Sequence, residues 1–153
     1  MNGAMRALPH HTVDLGGGVF QIDTGFQRPL FDAAYLVVDD GHAQARLLQA
    51  REFHESARSL VTLAQAKSYN GAVTLMVTAA IAYSDAVTAK ARGVVNQQDH
   101  QSAPRLLREV LGNRLPEGQD RFFRKLLGRK DEVNYGTRSA TLEEAQRLLL
   151  ALD

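Results

Sequence analysis

Apolar positions alternate in the first part of this chain and recur every three or four residues from about residue 47 onward. The second pattern predicts helices. A first helix is expected over residues 47–66, with Phe53, Ala57, Leu60 and Ala64 on one face. Ser68-Tyr69-Asn70-Gly71 reads as a turn into a second helix over residues 72–91. That helix carries Leu75, Met76, Ala79, Ala80 and Tyr83, and Gly93 stands where a helix ends. A third helix begins after Asp99 or Ser102, with Pro104 in its first turn and Leu106, Leu107, Val110 and Leu111 as its apolar face. Gly112-Asn113 and Leu115-Pro116 close it. The fourth, over residues 119–134, turns Phe122, Phe123, Leu126, Leu127 and Val133 inward. The fifth opens at Thr141, whose spacing to Glu144 matches a capping box, and buries Leu148, Leu149 and Leu152. Five helices with short connections predict an all-α fold, an up-and-down bundle.

The alternating part predicts strands at Val19-Phe20-Gln21-Ile22-Asp23 and Ala34-Tyr35-Leu36-Val37-Val38. Gly16-Gly17-Gly18 precedes the first, Pro29 lies in the loop between them, and Asp39-Asp40-Gly41 follows as a turn signal. A lone hairpin is marginal in water and needs a surface to pack on. The chain therefore divides into a tail and β-hairpin appendage over residues 1–45 and a helical bundle over residues 46–153.

Composition narrows the chemistry. With no cysteine among 153 residues, disulfides, thiol catalysis and thiolate metal sites are all excluded. No apolar run approaches the length that crosses a bilayer, and residues 1–11 lack the apolar core of a secretory signal. The expectation is a cytoplasmic protein without membrane contact. A net charge of +1 predicts no partner, but its distribution does. Between Arg105 and Lys130, eight basic side chains face three acidic ones, a bias that suits a phosphate-binding surface.

Several strings in the helical part together resemble the small bacterial HEPN family. They are Ala50-Arg51-Glu52-Phe53 with Ala57-Arg58, Tyr69-Asn70-Gly71-Ala72-Val73, and Ala79-Ala80-Ile81 followed by Asp85-Ala86-Val87-Thr88-Ala89. Gln98-Asp99-His100 falls before the third helix, and Leu126-Leu127, Arg129-Lys130-Asp131 and Asn134-Tyr135-Gly136 match the family's fourth helix. The similarity covers residues 47–152. It implies a helical bundle that forms a homodimer. In catalytic members an Arg-x4–6-His motif sits in a cleft at the dimer interface and cleaves RNA without metal. There the arginine holds the scissile phosphate and the histidine moves a proton.

This chain departs from that motif. With Arg129 as the motif arginine, Asn134 stands five residues on; in the alternative register Lys130 takes the arginine's place and Tyr135 that of the family's tyrosine. Neither register contains a histidine, and asparagine carries no proton near neutral pH. His100 is the candidate replacement, oriented by Asp99 or Asp85; the bland alternative makes Asp99 a helix cap and His100 a surface residue. Asp85, among alanines, is expected to pair with a basic residue of the fourth helix. Tyr135 is expected to be a core aromatic with a bonded hydroxyl. Arg124, Lys125, Arg129, Lys130 and Tyr135 are the candidate nucleic-acid contacts.

Val13 to Phe20, Ile22 to Phe26 and Ala34 to Val38 resemble the opening strands of metallo-β-lactamase-fold hydrolases. Those enzymes hold two zinc ions with a His-x-His-x-Asp-His motif, which this chain lacks; His10 and His11 are adjacent, poor spacing for one metal. No metal site and no cofactor are expected. Three functional readings follow: a non-catalytic HEPN-like module that binds RNA or a partner protein, in a bacterial defence or toxin–antitoxin setting; a divergent metal-independent ribonuclease; and a purely structural dimerisation domain.

Overall fold

The computed structural model describes residues 35–63, 65–96 and 99–153, with the backbone of two further strands at residues 10–14 and 19–23. Among the described residues five α-helices form a bundle: α1 (Asp40–Leu63), α2 (Asn70–Arg92), α3 (Ala103–Leu111), α4 (Glu117–Tyr135) and α5 (Leu142–Leu152). The expected all-α bundle preceded by a β-hairpin is the fold observed.

The central element is α2. It turns Val73, Met76 and Val77 toward Leu126 and Leu127 of α4, Ala57 and Val61 of α1, and Leu148 and Leu149 of α5. Small residues at Ala72, Ala79, Ala80, Ala82, Ala86 and Ala89 are all buried, so neighbouring backbones approach closely along its length. By length and a hydropathy of 1.4 this helix is apolar enough to cross a membrane, contrary to the expectation that no run qualifies. In the fold, 72% of that apolar window is buried inside the bundle, as in a core helix. Gly93 ends it in the left-handed region, φ 65°, and its amide donates to Ala89 O at 2.7 Å. A side chain there would be strained.

The hairpin is part of a larger sheet. Strands β1 (His10–Asp14), β2 (Val19–Asp23), β3 (Tyr35–Val37) and β4 (Val94–Asn96) lie in that order, each antiparallel to the next. The predicted pair, β2 and β3, meets with Ile22 opposite Leu36. Beyond it, β4 places Val95 opposite Leu36, although no strand is expected past residue 47. Three residues are too few for alternation to register; pairing with β3 makes Val94–Asn96 a strand. Side chains leave β3 alternately to two faces. Tyr35 packs with Val94 on Leu106 and Val110 of α3, while Leu36 and Val38 pack with Val95 on Ala43 of α1 and Ala89 of α2. The surface that the hairpin needs is therefore the bundle itself.

Two boundaries move. α1 begins at Asp40 rather than near residue 47, because Asp39 is a helix cap and not a turn: its Oδ1 accepts from His42 N at 3.0 Å. The expected division after residue 45 consequently falls inside α1. The buried face of α1 is also rotated from the expected one, and is Ala43, Ala50, His54, Ala57 and Val61. Phe53 is half-buried and Leu60 exposed. Ala64, Gly16-Gly17-Gly18 and Pro29 lie outside the described residues. α3, α4 and α5 follow their predicted spans within two residues, and Thr141 caps α5 by accepting from Glu144 N at 3.2 Å.

Candidate functional site

Four elements bring polar side chains to one cleft of about 300 Å³. On α2, Thr74, Val77, Thr78 and Ile81 follow the i, i+3, i+4, i+7 spacing of a single helix face and form the floor. Lys130 and Asn134 enter from α4, one turn apart. His100 comes from a 3₁₀ turn (His100–Ser102) that leads into α3, and Arg46 closes the cleft from α1.

Each polar wall has a local cause. Asp99 fixes the turn that carries His100: its Oδ1 accepts from Gln101 N at 2.9 Å and its Oδ2 from the Ser102 hydroxyl at 2.8 Å. Those two bonds, Ser102 first, hold the Asp99 carboxyl below its usual range, and the His100 and Lys130 charges add to the effect. Asn96, at the end of β4, ties the same loop by donating Nδ2 to Asp99 O at 2.9 Å. Asp99 is thus a cap, as one of the two expected roles has it. The Thr74 hydroxyl donates to Asn134 Oδ1 at 3.0 Å, and Thr78 donates to Thr74 O at 2.9 Å. With its oxygen engaged, Asn134 presents its NH₂ as a donor. Lys130 has no hydrogen bond or ion pair among the described residues. The unbonded polar groups of Lys130 and Asn134 are therefore donors, and such a surface selects an oxyanion.

Behind the cleft, Asp85 pairs with Arg46 of α1, through Nε at 3.0 Å and Nη2 at 2.6 Å. The expected partner on the fourth helix is corrected here: an α1 that starts at Asp40 includes Arg46 and lays it across α2. Burial pushes the Asp85 carboxyl up, and the Arg46 charge and hydrogen bond offset this only in part. His42 sits in the same field; burial lowers it, against the pull of Asp85.

The other expected contacts separate. Consecutive helical residues point about 100° apart, so Lys130 faces the cleft and Arg129 does not. Arg129 is 11% exposed and pairs with Glu132 on its own helix and with Glu144 of α5, where Nη2 lies 2.8 Å from Oε1. That contact is electrostatic, since neither Nη2 nor Nε has an acceptor in hydrogen-bonding geometry. The Arg129–Asn134 register is not assembled in this cleft; Lys130 and Asn134 are. Arg124 is tied to Asp120 at 3.2 Å, and Lys125 is exposed on α4. Tyr135 is 86% exposed, not a core aromatic, because Val133 is the last inward position before α4 ends.

A second polar cluster went unpredicted. His54, only 7% exposed, meets the Tyr83 hydroxyl through Nδ1 at 3.1 Å and Asp153 Oδ1 through Nε2 at 2.9 Å. Arg58 donates to the same Asp153 oxygen at 2.5 Å. Tyr83 and His54 also stand edge to face. Ser84 lines the adjoining groove, but both imidazole nitrogens are already engaged, so His54 has no free nitrogen to activate a nucleophile. The signal for this cluster was a histidine at the spacing of Ala50, Ala57 and Val61 on α1.

Among the described residues, no three His, Cys, Asp or Glu side chains stand together in a way that holds a metal ion. The side chains of His10 and His11 lie outside the described residues. No family model, curated protein or solved structure matches this chain.

Proposed function

We propose that this chain is a HEPN-like module that binds RNA through the α2–α4 cleft and does not cleave it. The observation that carries the reading is the convergence of Lys130, Asn134 and His100 on one cavity whose free groups include a cation and an amide donor. A cavity of about 300 Å³ suits a phosphate and part of its nucleoside rather than a duplex. Tyr135, next to Asn134 and exposed, offers a ring on which an unpaired base stacks, the usual mode of single-strand recognition. A bacterial defence or toxin–antitoxin setting and a homodimer belong to the same proposal. The alanines of α2 are occupied inside the bundle, so a second copy would border the cleft along α4.

A metal-independent ribonuclease is the second reading. The presence of His100 in the same cavity as Lys130 favours it, since a proton carrier and a phosphate-binding cation then share a site. The test is retention and cleavage of a labelled single-stranded RNA in chelator, with wild type and Lys130→Gln. Retention that weakens in the variant, without cleavage, is expected. Cleavage abolished by both Lys130→Gln and His100→Ala would replace the binding reading with the ribonuclease. No retention by the wild type at low salt would leave a protein-only dimerisation domain.

A further inference from the structure

Arg46 lines the cleft, yet its positive charge is not freely presented there. Its Nε and Nη2 both donate to one oxygen, Asp85 Oδ2, at 3.0 and 2.6 Å, and its Nη1 donates to Gln49 Oε1 at 2.7 Å. The Nε/Nη2 edge that normally grips a phosphate is therefore filled by an internal carboxylate. A guanidinium has five N–H groups, so one N–H on Nη1 and one on Nη2 remain. Both lie away from the Nε/Nη2 edge that Asp85 fills or beside it, and the Arg46 side chain is still 24% exposed at the cavity wall, against 11% for Asp85.

We propose that Arg46 is a second phosphate-contacting residue of the cleft, and that Asp85 is a positioning residue that sets how much of its charge a ligand meets. The proposal rests on the reading of the cleft as an RNA site. Paired as it stands, Arg46 offers a ligand direction and two N–H groups but little net charge, while Lys130 supplies the full cation. Asp85 orients the fork across α1 and α2 and cancels its field. The pair thus favours a ligand whose phosphate already sits on Lys130 over any anion arriving at Arg46 alone.

Asp85→Asn separates the two roles. Asparagine keeps an acceptor for Nε and Nη2 but removes the counter-charge. Binding of a labelled single-stranded RNA would be followed across a salt series for wild type, Asp85→Asn, Lys130→Gln and Asp85→Asn/Arg46→Gln. Asp85→Asn is expected to tighten binding and to steepen the slope of log Kd against log salt by about 0.7, one further phosphate neutralised on a single strand. The double variant should lose that added slope, a readout that a merely structural role for Asp85 would not move. An unchanged slope in Asp85→Asn, with Lys130→Gln still flattened, overturns the proposal and leaves the RNA reading intact. Absence of RNA binding by the wild type removes both. Arg46→Lys covers the case in which Asp85→Asn does not fold. A lysine still faces Asp85 but lacks the guanidinium's remaining N–H donors, so binding should weaken severalfold, and undiminished binding would overturn the role given to Arg46.

Discussion

Two of the histidines in this bundle, His54 and His100, differ in what their polar surroundings leave over. Around His54 both ring nitrogens, the Tyr83 hydroxyl and the Asp153 carboxylate satisfy one another, and the imidazole is buried between α1, α2 and α5. Around His100 the turn is anchored by Asp99, but the ring is exposed to a cavity that also holds Lys130, which has no hydrogen bond or ion pair among the described residues. A closed network rigidifies; an open one leaves groups for a ligand to complete. The difference teaches that residue type alone identifies neither region as functional.

The largest effect expected from breaking the comparison is at His54. His54→Ala strips partners from Tyr83 and Asp153 inside the bundle and should cost about 1–3 kcal/mol of stability. Its RNA retention should equal that of the wild type. His100→Ala should reverse the pattern, changing stability by no more than about 0.5 kcal/mol while weakening retention. Urea unfolding and RNA binding on the same two proteins decide it, and a His100 variant as unstable as the His54 variant would erase the distinction.

Adjacent basic residues sharpen the same contrast. Arg129→Ala removes the brace from α4 to Glu144 of α5 and should cost about 1 kcal/mol, a value discounted because Glu132 reaches solvent. Salt dependence of RNA binding should not change. Lys130→Gln should leave the unfolding midpoint in place and flatten the salt slope by about 0.7. Equal salt slopes for the two variants would mean that helical phase does not separate their roles.

Most of the bundle was legible because α2, α3, α4 and α5 bury apolar side chains at helical spacing and carry ordinary stop and start signals at Gly93, Pro104 and Thr141. α1 was less so. Its buried face is alanine, histidine and one valine, too weak a stripe to locate, and Asp39-Asp40-Gly41 has the composition of a turn as well as of a cap. From that one misplacement follow the wrong partner for Asp85 and the absence of Arg46 from the expected residues, whereas His54 lay within the expected span and was missed because the buried face is rotated from the expected one. In the site, Lys130, Asn134 and His100 were readable as candidates from local strings. That they share a cavity was not, since it depends on the crossing of α2 and α4 and on a loop fixed by β4. Tyr135 was misassigned because aromatic character predicts burial, whereas its place on the last turn of α4 decides its exposure.

The smallest expected effect is in the acid range, where the two regions should oppose each other. Burial raises Asp85 above the ordinary carboxylate value. Its stabilising contribution is therefore fully present below the unfolded value and is lost as pH rises through the folded one. Asp153 goes the other way: burial would raise it, but the Arg58 and His54 hydrogen bonds and charges together outweigh that and hold it low. Its contribution is present above the unfolded value and is lost as pH falls through the folded one. The two windows lie on either side of the unfolded carboxylate pKa. Asp85→Asn should remove a gain of stability on acidification above that point, and Asp153→Asn should remove a loss below it. Both changes should be modest, Asp153 because solvent screens its pairs and Asp85 because Arg46 offsets part of its burial. Stability measured by urea unfolding from neutral to acid pH checks the signs. Two variants that bend the pH profile in the same direction would show that the open and closed networks do not differ in how their carboxylates are held.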